Sequence, residues 1–120
     1  MRGLKWVVDE PVEVLSDELP TLTQLLRRLG GKVIVHEKRI TYILNMPSAT
    51  LYMVIEPDLS RSIMTKAWDF IYNSDVRPLK VRVVKALACI RLGKEITDAQ
   101  QEVIQLMDML GRTAREIDCH

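Results

Sequence analysis

At 120 residues, with 48% hydrophobic and 28% charged side chains, the chain has the size and composition of one globular domain. No apolar run approaches the ~18 residues that cross a bilayer. The opening MRGLKWVVDE lacks the apolar stretch of a secretion signal, so the expected setting is cytoplasmic and away from membranes.

The formal net charge of +1 is unevenly spread, with −3 over residues 1–18, +8 over 19–94 and −4 over 95–120. Two arrangements account for this: a polyanion bound to the basic middle, or acidic ends lying against basic parts of the same or a neighbouring chain. Only two Asn and four Gln accompany many Arg, Val, Ile and Leu, a bias that fits a heat-adapted, thermophilic source. Cys89 falls in an apolar run and is expected to be a buried thiol. Cys119 lies near the end of the sequence, a disulfide between the two is not expected, and reduced cysteines point to a cytosolic protein.

In chain order, Leu4 to Val8 is β-branched and aromatic enough for a strand, with Leu4, Trp6 and Val8 on one side and Lys5 and Val7 on the other. The acidic DEPVEVLSDE that follows reads as an extended connection anchored by Val12, Val14 and Leu15. A first helix is predicted from Thr21, which forms a capping box with Gln24. Leu22, Leu25, Leu26 and Leu29 make its apolar stripe, and Gly30-Gly31 ends it.

Lys32 to Glu56 reads as a three-stranded antiparallel meander turning at Glu37-Lys38 and at Met46 to Ala49. The simplest register pairs His36 with Arg39 and Asn45 with Thr50. One face then holds Val33, Val35, Ile40, Tyr42, Leu44, Leu51, Met53 and Ile55, a core layer. The opposite face reads, row by row, Lys32–Ile43–Tyr52, Ile34–Thr41–Val54 and His36–Arg39–Glu56.

A second helix is predicted from Asp58 or Ser60 to about Asn73, with Trp68 and Tyr72 beside its apolar face. A third is predicted over Leu79 to Leu92, with a short extended start as the alternative because VRVV also suits a strand. On a helical wheel it would gather Arg77, Lys80 and Arg91. The fourth, over residues 97–118, opens with the capping box Thr97–Gln100. Its heptad-like seam includes Val103, Leu106, Leu110 and Ile117. That seam serves either packing within the domain or pairing with a second chain.

Chemistry-bearing motifs are few. The two histidines, His36 and His120, stand apart, and no CxxC or HxxxH spacing marks a metal site. No nucleophile stands in a polar setting and Gly30-Gly31 precedes a strand rather than a helix, so neither catalysis nor a phosphate loop is indicated. No metal or cofactor is therefore expected, and the chain is not expected to be an enzyme.

The second meander face is the better functional lead, because single-stranded nucleic acid needs bases for phosphates and flat or apolar surfaces for stacking. It supplies Lys32, His36, Arg39 and Tyr52 over a floor of Ile34, Thr41, Ile43 and Val54. Lys5 and Trp6 would extend it from the first strand, and Arg77, Lys80 and Arg82 would form a rim. If the second helix covers Lys32, Thr41 and Tyr52, this face becomes a second core layer instead.

The order of strand, helix, meander and three helices, the last heptad-like, resembles the archaeal ThermoDBP-type single-stranded DNA-binding proteins and their relatives. The resemblance implies a small sheet and helices forming an apolar cleft with basic edges, and a C-terminal helix used in oligomerisation. The combined expectation is a single α+β domain: the meander plus an N-terminal strand, packed with about four helices. It would bind single-stranded DNA or RNA without catalysis and would form a homodimer or homotetramer. The alternative is a structural or protein-interaction module that self-associates through its last helix.

Overall fold

The computed structural model describes residues 2–15, 17–36, 39–57, 80–111 and 115–118. Its elements are β1 (Arg2–Val8), β2 (Val12–Leu15), α1 (Leu19–Leu29), β3 (Lys32–Val35), β4 (Ile40–Asn45), β5 (Ala49–Pro57), β6 (Lys80–Arg91), α2 (Asp98–Met109) and β7 (Arg115–Asp118). All pairings are antiparallel, in the order β3-β4-β5-β6-β1-β7, and β2 pairs with β6 in line with β1. Among the described residues there are thus seven strands and two helices, which corrects the expectation of a small sheet packed with about four helices. The predicted second helix with Trp68 and Tyr72, the turn residues Glu37 and Lys38, Arg77, Cys119 and His120 lie outside the described residues.

The main correction is β6. The segment expected to be a third helix is a 12-residue strand with partners on both sides, β5 on one and β1 and β2 on the other. The helical wheel that gathered Arg77, Lys80 and Arg91 therefore does not exist. Buried positions along β6 run Val81, Val83, then Ala86, Ala88, Ile90. The change from odd to even falls where the register with β5 shifts, Val54 facing Lys85 and Ile55 facing Val83. A β-bulge adds one residue to one strand and turns the alternation over. On the other flank Val8 faces Ala86 and Val12 faces Val83, so Asp9, Glu10 and Pro11 interrupt the pairing at the same level. Pro11 has no N–H to give a ladder. The stretch expected to be a plain connection thus forms β2, in which Val14 is buried but Leu15 is exposed.

The meander has the predicted register. Lys32 faces Ile43, Thr41 faces Val54, Ile43 faces Tyr52 and Asn45 faces Thr50, and the His36 N–H donates to the Arg39 carbonyl at 2.8 Å. Ile40, Tyr42, Leu44, Leu51, Met53 and Ile55 are buried as expected, whereas Val35, at the end of the edge strand, is exposed.

The two helices share the core cluster with this face of the sheet. α1 begins at Leu19, two residues before the predicted start, with Glu18 as N-cap and Pro20 in the first turn. Proline is tolerated there because those N–H groups lack helical acceptors. Thr21 consequently lies inside the helix and its predicted box with Gln24 is not the cap. Leu22, Leu25 and Leu26 are buried, and Gly30 closes the helix at φ 69° with its N–H on the Leu26 carbonyl. Tyr42 completes that end: its hydroxyl donates to the Leu26 carbonyl at 3.0 Å and accepts from the Gly31 N–H at 2.8 Å. A Cβ at Gly31 would run into the Tyr42 ring.

α2 has the predicted capping box, with the Thr97 hydroxyl accepting from the Gln100 N–H at 3.2 Å and the Gln100 side chain accepting from the Thr97 N–H at 2.9 Å. The buried Gln100 amide also donates to the carbonyls of Ser48 at 3.1 Å and Arg91 at 2.6 Å, tying the helix start to the β4–β5 turn and the end of β6. The helix stops at Met109, before Gly111 at φ 70°, and the chain returns as β7. The expected seam over residues 97–118 is therefore cut short. Val103, Leu106 and Leu110 are buried in the chain's own core, and Ile117 is a strand residue facing Gly3. These four do not form an open helical stripe for a second chain. No helix among the described residues is long and apolar enough to cross a membrane.

Cys89 is disulfide-bonded, which corrects the expectation of a buried free thiol and removes the reduced-cysteine ground for a cytosolic setting.

Candidate nucleic-acid interface

The helices occupy one face of the sheet, so the rows on the other face define the candidate site. Because β6 is a strand, the rows run further than the meander. The register extends the first to Lys32–Ile43–Tyr52–Leu87–Val7 across five strands. At ~4.8 Å per strand that row is about 19 Å long. Tyr52 at its centre is 38% exposed, Leu87 38% and Val7 49%, while Ile43 is partly buried. Such adjacent exposed apolar side chains differ from apolar residues scattered singly over a surface. The second row is Ile34–Thr41–Val54–Lys85. Thr41 is buried, its hydroxyl 3.1 Å from the His36 Nε2, while Lys85 is exposed.

The third row, His36–Arg39–Glu56–Arg82, continues to Glu13 on β2. Its charges alternate. Glu56 accepts from the Arg82 guanidinium at 2.5 Å on one oxygen and from Arg39 Nε at 3.3 Å on the other. The Arg82 hydrogen bond, followed by its charge and the same two effects from Arg39, outweighs desolvation and holds the Glu56 carboxyl below its ordinary 4.5. These two cations are therefore partly neutralised. Lys5, Lys32 and Lys85 make no ion pair among the described residues.

Lys32, Ile34, His36, Arg39, Thr41, Ile43, Tyr52, Val54 and Arg82 share the second face, as does the half-buried Lys5. Trp6 does not: it alternates away from Lys5 into the core, is 2% exposed, and has no partner for its indole N–H among the described residues. It cannot stack on a base, and its place on the row beyond β6 is taken by Val7. Lys80 begins β6, opposite Leu15. Sequence reasoning missed Val7, Lys85 and Leu87. Val7 lies with Lys5 on the side opposite Trp6, and a helical reading of β6 hides the other two.

A groove of about 500 Å³ lies on the helical side, lined by Arg28, Leu29, Met46 and the first turns of α2. The Arg28–Glu102 ion pair, at 2.9 Å, joins α1 to α2 beside it, so these two charges of its lining already have partners. No family model, curated protein or solved structure matches this chain.

Proposed function

We propose that the sheet face opposite the two described helices binds single-stranded nucleic acid without catalysis. The observation that carries this reading is the exposed Tyr52 at the centre of a five-strand row with apolar neighbours and, around it, lysines that make no ion pair among the described residues. Bases stack on Tyr52 and lie on Ile43, Leu87 and Val7, while Lys32, Lys85 and Lys5 hold phosphates. The resemblance to the ThermoDBP-type proteins is in keeping with this chemistry, although the element order behind it changes at β6.

Titrating a fluorescent oligonucleotide at several salt concentrations tests the reading. Single strands should bind more tightly than duplex, with affinity falling as salt rises. Tyr52→Ala should weaken binding by about 1–3 kcal/mol and leave the salt slope unchanged. Lys85→Ala should lower the slope by about 0.7. A second reading, a surface for another protein, is favoured by the exposure of Val7 and Leu87 side by side. It predicts no oligonucleotide binding even at low salt.

A further inference from the structure

We infer that Arg39 and Arg82 form a second phosphate site on this face, and that the Glu56 carboxylate occupies it as a built-in competitor. This rests on the nucleic-acid reading above and adds a regulated subsite to it. The two arginines lie on β4 and β6, on either side of Glu56 on β5, and each engages a different carboxylate oxygen. That is one anion shared between two guanidinium groups, the arrangement a phosphate oxygen pair would take. Both arginines are half exposed, with side chains 54% and 50% accessible. A guanidinium has five N–H donors, and the bonds to Glu56 use one from each.

The site is continuous with the stacking row. Glu56 lies four residues from Tyr52 on the same strand and face, about 13 Å away at ~3.3 Å per residue. Val54 and Lys85 lie between them. A strand laid along β5 from Tyr52 would pass Lys85 and meet the arginine pair. As a staple for folding the ion pair contributes little, since both arginines are well solvated. As a competitor it has a clear effect, because phosphate must displace the carboxylate to gain either cation.

Glu56→Gln tests this directly, with oligonucleotide titrations of wild type and variant at 50 and 200 mM salt. Freeing two cations should steepen the salt slope by about 1.4, so that the affinity lost over that fourfold rise grows by a further factor of about 7. Affinity at low salt should rise, and adding Arg39→Ala should remove about half of the gained slope. Circular dichroism checks the fold, and Glu56→Ala repeats the test should the carboxamide disturb it. If wild type binds and Glu56→Gln binds no more tightly or steeply, the arginine pair is not a phosphate site, and the stacking row stands without it. If neither binds, the nucleic-acid reading fails and takes the subsite with it. Binding by the variant alone would mean that the wild-type face takes no nucleic acid, which overturns the nucleic-acid reading and the regulated subsite that rests on it.

Discussion

Tyr42 links three levels of the molecule through one hydroxyl. It is fully buried, yet its oxygen has both a donor and an acceptor at the end of α1, so the polar atom is satisfied where the ring fills the core. Removing the oxygen deletes both of these buried hydrogen bonds. Tyr42→Phe should therefore cost about 1–3 kcal/mol in urea unfolding, although it deletes a single atom. Glu56 gives a second residue-level expectation. Its folded pKa is depressed, so its contribution is present above the ordinary 4.5 and is lost as pH falls through the lower folded value. Any stability gap between wild type and Glu56→Gln at pH 7 should close at acid pH below 4.5. A gap that widened there would contradict the assignment.

At the level of elements, the sequence was most legible where local chemistry decides the structure. The Thr97–Gln100 box, the Leu22–Leu25–Leu26 stripe and the Gly30 stop depend on neighbours along the chain, and all are present. The meander register was legible because tight turns and strict alternation left little choice. β6 was not. Its bulge at Val84–Lys85 breaks the period of two, and apolar Leu87 and Cys89 lie on the face opposite Ala86 and Ala88, so the run looks apolar all round. α2 was read too long because the apolar spacing continues past Gly111, where the positive φ turns the chain back toward β1. The packing of α2 makes a prediction that differs from that of an intermolecular seam. Leu106→Ala should cost about 2–5 kcal/mol. Its mass by light scattering should equal that of wild type at the same concentration, since Leu106 serves the chain's own core.

Across the whole molecule, one sheet separates two kinds of surface. The helices cover one face, and the other carries Tyr52, Leu87 and Val7 in a row with lysines around them. Three of that row's five residues, Lys32, Ile43 and Tyr52, could be read from the meander alone. Leu87 and Val7 depended on long-range pairing with β6 and β1, which no local pattern announces. The same pairing placed Arg82 beside Glu56 and turned part of the expected basic rim into an internally neutralised row. The proposed binding therefore depends on Tyr52 and on lysines without an ion pair among the described residues, rather than on total charge. Its most direct test is the fluorescence anisotropy of a labelled single-stranded oligonucleotide titrated with wild-type protein at low salt, beside Tyr52→Ala. The account predicts saturable binding that weakens by about 1–3 kcal/mol in the variant. No binding by the wild type, or equal binding by both proteins, would contradict it.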